Sequence, residues 1–495
     1  MKNMTKSMTT AADHLSIFQY RRGREYEGNR FDLSPRPERF KKYNGPCLRL
    51  KTSVYKDEGL RSVGGLTGRE MLERILLPSF GVTSVKFHGH QSEMLWSFPS
   101  AGGCYPVEIY VAVRRLGEVE PGLYYYCALE TSLYKLANGQ AAGGLAPSLR
   151  EADRDADVYF ILSVVPWRTC WKYSHKGYRF GLLDAGHVAA NFQLVLRALG
   201  FRFSAYTSLH SAEVGELLQL DEYEMPIAII ASRLYDPKAD DPAKPSATDA
   251  PPLESPISRK CRHSEDPDIR LFDWEPILDF QRKVELSVRE PSDRWLTQLS
   301  LPSEWTDYGR LLQLIIERRS SSAYTRCELA AAEFRAMLTM IFRLGLHSSF
   351  HAIVHGVEGV RPGVYRYEYG RPVCLSEGNY RETSSDICLG QAFIRDCSVL
   401  FVFSVDASHI PEDEFSRYQQ CSIDGGMLGQ MMYLKSQEMG LGFSIIGGYY
   451  DEELRELLQL PPTHQIVCAG AWGRNVPDAA SVRKNDRYQL NRPQR

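Results

Sequence analysis

The sequence has no CxxC pair, no long apolar run and no excess of either charge. Its eleven cysteines are scattered and odd in number, which reads as reduced thiols and argues against a zinc site. Lys and Arg number 59 against 61 Asp and Glu, so a basic surface of the kind that binds nucleic acid is not expected. No apolar stretch approaches the ~20 residues of a membrane-spanning helix. Met1 to Asp13 is polar and lacks the apolar core of a secretory signal. The expectation is a cytoplasmic protein with no metal, membrane or nucleic-acid partner.

What is present is a chain of 495 residues, 43% hydrophobic and 24% charged. That is a globular composition, and the length calls for two or three domains. Self-similarity explains the length. Leu183-Asp184-Ala185-Gly186 to Leu199-Gly200-Phe201 parallels Ile423-Asp424-Gly425-Gly426 to Met439-Gly440-Leu441, an offset of 240. Glu216-Leu217-Leu218-Gln219-Leu220 and Glu456-Leu457-Leu458-Gln459-Leu460 keep that offset. Upstream it becomes 241: Gly122-Leu123-Tyr124-Tyr125-Tyr126 against Gly363-Val364-Tyr365-Arg366-Tyr367, and Phe160 to Val164 against Phe401 to Val405. Four ordered matches at nearly constant spacing indicate duplication.

Each half predicts the same layout. A helix (Met71 to Leu77; Phe334 to Phe342) precedes a strand (Val107 to Val113; Phe350 to Val354) and the Gly-x-Tyr-x-Tyr strand. A buried apolar strand leads to a long helix, Leu183 to Leu199 or Ile423 to Met439, with Gly200 or Gly440 as its left-handed cap. A strand, a short helix and a last strand follow, an α+β order. The expected division is a first domain over 1–235, a Pro-rich linker over 236–260, a second domain over 261–480 and a tail over 481–495. The linker reading rests on Pro237, Pro242, Pro245, Pro251, Pro252 and Pro256. Phe272, Trp274, Phe280 and Trp295 are expected to anchor a segment that wraps along the fold.

Specific motifs then point to a family. Pro99-Ser100-Ala101-Gly102-Gly103-Cys104-Tyr105-Pro106-Val107-Glu108 resembles the PSAG-x-YP-x-E signature of the SagB/McbC-type dehydrogenases, a branch of the nitroreductase superfamily. Lys172-Tyr173, Arg179, Leu183-Asp184-Ala185-Gly186-His187 and Asn191 are similar to that branch's KY…RxYR…L-x-AGH…N pattern, and Arg36-Pro37 to Tyr43 to its leader region. Arg318-Arg319-Ser320 looks like the RRS that opens nitroreductases and binds the flavin phosphate. The resemblance implies two tandem nitroreductase-like domains forming an intrachain pseudo-dimer, with FMN at the interface.

The residue types suit that chemistry. A phosphate dianion calls for the forked donors of arginine with hydroxyl and backbone help. Arg318, Arg319 and Ser320 stand where a helix is expected to end, and Arg474 could replace a charge missing at Ser322. Two arginines alone would read as a solvated helix end. Pro99 to Gly103 would lay backbone against a flat ring, since glycine has no Cβ to obstruct it. Gly447-Gly448 would do the same, although a plain turn is nearly as good a reading. The resemblance makes Lys172 and Tyr173 the catalytic pair and adds Arg179 to the cofactor set. Tyrosinate beside an ammonium, or a desolvated neutral lysine, would be a usable base.

The two halves carry complementary losses. Lys172-Tyr173 faces Glu412-Asp413, and Arg179 faces Gln419. Only Leu344-Gly345-Leu346 stands where PSAGG would be, only Arg61-Ser62 where RRS would be, and Thr207-Ser208 replaces Gly447-Gly448. One working site built from both halves and one degenerate site are therefore expected. The resemblance implies oxidation of a thiazoline or oxazoline to the azole, with hydride to flavin N5, the proton to the Lys/Tyr base, and a peptide or small heterocycle as substrate. A cyclodehydratase is the partner this implies, and the chain is expected to be a monomer or a higher oligomer. Three rivals stay open: an NAD(P)H-driven flavin reductase or nitroreductase, a dehydrogenase for another small or carrier-bound substrate, and a non-catalytic flavin-binding or scaffold protein.

Overall fold

A computed structural model of the chain describes residues 15–23, 36–52, 65–88, 91–234, 266–288, 302–343, 349–368, 370–409, 415–476 and 484–485. The expected linker, Trp295, and most of the expected tail lie outside these residues. The first half runs β1 (Cys47–Arg49), α1 (Gly68–Ser79), β2 (Val82–His88), β3 (Gln91–Trp96), β4 (Val107–Val113), β5 (Gly122–Cys127) and β6 (Ser132–Asn138). It continues with β7 (Val158–Val164), α2 (Trp167–Tyr173), α3 (Lys176–Ala198), β8 (Arg202–Tyr206), α4 (Ser211–Leu217) and β9 (Met225–Arg233). The second half has α5 (Glu275–Leu286), α6 (Tyr308–Glu317), β10 (Tyr324–Thr325), α7 (Ala331–Arg343), β11 (Ser349–Val354), β12 (Gly363–Glu368) and β13 (Arg371–Glu377). Then come α8 (Arg381–Ile387), β14 (Val399–Asp406), α9 (Phe415–Glu438), β15 (Gly442–Ile446), α10 (Asp451–Leu457), β16 (His464–Asn475) and β17 (Lys484–Asn485).

The duplication read from the sequence is written in the sheets. The first is ordered β1-β6-β5-β4-β7-β9-β8; the second is β13-β12-β11-β14-β16, with β15 and β10 both on β16. Omitting β1 and β10, the two orders are the same, and every adjacent pair is antiparallel. Even the irregularities repeat. Register shifts fall at Leu123/Tyr124 and Val364/Tyr365, and again at Leu162/Ser163 and Phe403/Ser404. Residues alternate across β4, so Ile109, Val111 and Val113 enter one core while Tyr110 and Ala112 enter another on the opposite face.

The long helices α3 and α9 hold the halves together. A Cβ at Gly186 would strike the Ile423 carbonyl, and one at Gly426 would strike that of Leu183. These contacts are mirror images at the 240 offset, so the two backbones touch on a pseudo-twofold. Gly200 and Gly440 both take positive φ, 76° and 67°, as expected of caps. The helices begin earlier than expected, at Lys176 and Phe415 rather than Leu183 and Ile423. In the first half no proline interrupts this run, and Gly177 packs directly on the Thr169–Cys170 backbone. The wrapping segment is α5, whose Phe280 meets Phe18 and Tyr178 of the first half and Phe415 and Tyr418 of the second. Exchange also runs the other way: β17 pairs with β2, and Tyr20 bridges to Tyr450. Among the described residues no helix is long and apolar enough to cross a membrane.

Candidate functional site

A cavity of about 370 Å³ opens where the halves meet. The first half lines it with the turn Pro99–Gly102, Tyr173, Phe180, Asp184, His187 and Tyr20 of the N-terminal strap, residues 15–23. The second half contributes Ser320, Leu389, Gln391, Tyr433 and the strand end Ser444 to Gly448.

The turn is held from three sides. Ser100 Oγ donates to Asp184 at 2.5 Å and accepts from Tyr105 N–H at 2.8 Å. Arg36 donates to the carbonyls of Gly102 and Gly103. Just upstream, the Ser97 carbonyl accepts from Asn191, Gln430 and Arg318, each at 3.3 Å. Gly102 sits at φ 57°, and a Cβ there would meet Tyr173 Oη, with Lys172 Nζ 2.9 Å away. Lys172 and Tyr173 of α2 therefore stand directly against the turn. Arg168, one helical turn before Lys172, fixes that helix by an ion pair to Glu108 and a hydrogen bond to the Tyr105 carbonyl at 3.1 Å.

Across the cavity, Arg179 pairs with Asp451 at 2.7 Å and donates to the Gly447 carbonyl at 3.2 Å. Gln391 donates to the Gly448 carbonyl at 3.2 Å. Tyr433 Oη accepts from Ile445 N–H at 2.9 Å and lies 2.9 Å from Ser320 Oγ. Arg318 lies with its guanidinium 5.1 Å from the centre of the Tyr433 ring.

Burial dominates the electrostatics. It pushes the Asp184 carboxyl up to about 8, against the pull of Ser100. It lowers His187 to about 3, helped by Arg318, so the imidazole is neutral. Among the described residues both His187 ring nitrogens lack a hydrogen-bond partner. Arg318 falls to about 10 for the same reason; it is 3% exposed, has no acidic partner among the described residues, and its Nη1 is unsatisfied. A buried cation without a counter-charge is costly and calls for an anion.

Of the residues singled out in the sequence, Pro99, Ser100, Ala101, Gly102, Tyr173, Ser320, Gly447 and Gly448 line one cavity, with Lys172 behind Gly102. Three of the expected arginines are engaged within the fold. Arg179 does not face the cavity; its charge is spent on Asp451 and the Gly447 turn. Arg474 is about half exposed and paired with Glu333. Arg319 donates to the Ile316 and Arg318 carbonyls and to Thr83. Gly447 and Gly448 line the cavity, and Cβ atoms there would meet Phe180 and Leu389 at 2.6 and 2.8 Å. Tyr173 is also not a resting tyrosinate: burial first, then Cys104, Tyr20 and Asp184, hold its phenol above the ordinary range. Gly103 adjoins the cavity without lining it. The elements of the expected second site at 61–62 and 344–346 lie outside the described residues. In the sequence Asp184 belongs to the repeat and to the L-x-AGH match without a site role; the signal for its place in the cavity is an acid inside an otherwise apolar helix face. Tyr20 carried no signal.

Comparison with known proteins agrees with this geometry. The nitroreductase family model matches residues 69–232 and 371–474, more than half of the chain. The nitroreductase-named protein MJ1384 of Methanocaldococcus jannaschii is 30% identical over 182 residues, 36% of this chain and 88% of its own length. The trifolitoxin-processing protein TfxB of Rhizobium leguminosarum bv. trifolii is 30% identical over 134 residues, 25% of this chain and 35% of that protein. The microcin B17-processing protein McbC of Escherichia coli is 25% identical over 135 residues, 25% of this chain and 48% of that protein. A crystal structure of a nitroreductase-named protein from Anabaena variabilis superimposes with a TM-score of 0.74 at 23% identity, covering 94% of this chain and 99% of the other. With the family model matched in both halves, the sheets repeated strand for strand and the cavity placed between them, the chain belongs to the nitroreductase family.

Proposed function

We propose that the chain is an FMN-dependent dehydrogenase that oxidises thiazoline or oxazoline rings to azoles in a peptide natural-product pathway. One observation carries the reading. A single interface cavity gathers the Pro99–Gly102 turn and Tyr173 from one half with Ser320 and Gly447–Gly448 from the other. The buried, uncompensated Arg318 beside it suits a phosphate, and the neutral His187 offers unpaired ring nitrogens to a polar ligand edge. Ser320, Arg318 and Gly447–Gly448 would hold the FMN, which supplies the hydride acceptor when bound.

The protein's own share is the proton and the position. Azoline oxidation removes a hydride and a proton from adjacent ring atoms. The Tyr173 phenol contacts the space above Gly102; with Lys172 in its amine form, the phenol would pass its own proton to that nitrogen as it takes the proton of the substrate. The likeness to McbC and TfxB, proteins named for processing microcin B17 and trifolitoxin, supports a peptide substrate and a cyclodehydratase partner. We place the working halves at 1–235 and 261–480 in the cytoplasm, with one FMN per chain.

The test is flavin stoichiometry together with turnover of K172A/Y173F on an azoline peptide. One FMN per chain, retained in a variant that makes no azole, supports the reading; a colourless protein or a variant that still turns over ends it. The longer match to MJ1384 favours a second reading, an NAD(P)H-driven flavin reductase. Rapid bleaching of the flavin by NADPH in stopped flow would select it.

A further inference from the structure

Asp184 is the one cavity-lining carboxylate whose chemistry the proposed reaction leaves unused. It sits on α3, is 2% exposed, and forms no ion pair among the described residues. Its two hydrogen-bond partners are both donors. Ser100 Oγ donates its single hydrogen to Oδ2 and accepts from Tyr105 N–H. Ala101 N–H approaches Oδ1 at 3.4 Å, a long and weak contact. A carboxyl in a dry pocket with no counter-charge keeps its proton. Among the described residues that proton, carried on Oδ1, is given no acceptor, and the open direction is the cavity. His187 follows one turn later on the same helix face, so the wall there is made of neutral polar groups.

We propose that Asp184 is a carboxylic-acid donor whose O–H hydrogen-bonds an acceptor atom, a carbonyl oxygen or an unsaturated ring nitrogen, of the molecule bound in the interface cavity. Both the flavin and an azoline substrate carry such atoms, and only the choice between them rests on the proposed function. The titratable groups that face Asp184 are Tyr173 and Lys172 of α2, Cys104 beyond the turn, Tyr20 of the strap and His187 on its own helix. Tyr173 and Cys104 both feel it as a nearby acid.

The first test needs no turnover. Infrared spectra of the purified protein should show a protonated-carboxyl C=O band that vanishes as pH is raised through about 8 and is missing in D184N. The second compares D184N, which keeps an N–H donor in the same shape, with D184A. For D184A, FMN affinity or substrate KM should weaken roughly 3- to 10-fold, the worth of one neutral hydrogen bond, with D184N closer to wild type. A change in FMN affinity assigns the donor to the flavin, and a change in KM alone assigns it to the substrate. Absence of the band, or a D184A protein unchanged in both measurements, overturns the proposal. If D184A does not fold, the band and D184N decide it. Failure here leaves the K172A/Y173F result untouched, so the two readings stand or fall separately.

Discussion

Replacing Asp451 by Asn should cost this protein about 3–5 kcal/mol, because it strands a buried guanidinium. Arg179 and Asp451 are each 2% exposed and meet at 2.7 Å across the two halves. Asp451 is fully used: Oδ1 takes Arg179, and Oδ2 takes the Tyr20 N–H at 2.8 Å. Arg179 in turn anchors the Gly447 carbonyl. The variant thus loosens the strap, the half-to-half contact and the glycine turn together. R179M should be milder at acidic pH. Burial already raises the Asp451 carboxyl against the pull of Arg179, so without that pull it protonates and becomes neutral. At pH above neutrality the same variant leaves a charge to be buried or forces its protonation, and the cost grows. Replacing both, as R179M/D451L, removes both charges and should recover much of the loss. Urea unfolding of wild type, R179M, D451L and R179M/D451L gives the coupling from a double-mutant cycle. Single costs that add within about 0.5 kcal/mol would refute the argument, since independent sites behave that way.

Other outcomes follow from the same geometry. Gly186→Ala should destabilise by about 1–3 kcal/mol or more through overpacking, because its Cβ meets the Ile423 carbonyl of α9; Gly143→Ala, with nothing near its Cβ, is the control in thermal melts. Asp184 has a folded-state pKa raised to about 8, so its contribution is complete below the ordinary carboxyl range and declines as pH rises through 8. The slope is at most ~1.4 kcal/mol per pH unit, and a D184N protein whose stability falls over that window as steeply as wild type would contradict it. Arg318→Met should remove a buried unpaired cation; FMN affinity is expected to fall at least tenfold, the order of one charged hydrogen bond, measured by fluorescence quenching. FMN affinity unchanged in R318M would place the phosphate elsewhere.

The duplication, the α+β order and the helix caps at Gly200 and Gly440 were legible in the sequence, because repeat spacing and local backbone preference act over short stretches of chain. The PSAGG turn, Lys172-Tyr173, Ser320 and Gly447-Gly448 were legible as motifs. Their meeting was not, since a cavity between residue 99 and residue 448 exists only once α3 and α9 cross at Gly186 and Gly426. Tertiary structure alone decided which arginines meet a carboxylate. Arg179 and Arg474 look alike in sequence to Arg318, yet each is paired with an acid supplied from elsewhere in the fold, whereas Arg318 meets only carbonyls among the described residues. It also decided protonation. Asp184 would be an ordinary ionised acid in the unfolded chain, and removal from water is what holds its proton on, while burial only pushes the Tyr173 phenol further above its ordinary range. Sequence determines which groups are available; desolvation and partner choice, which depend on the whole packed molecule, determine what state they are in.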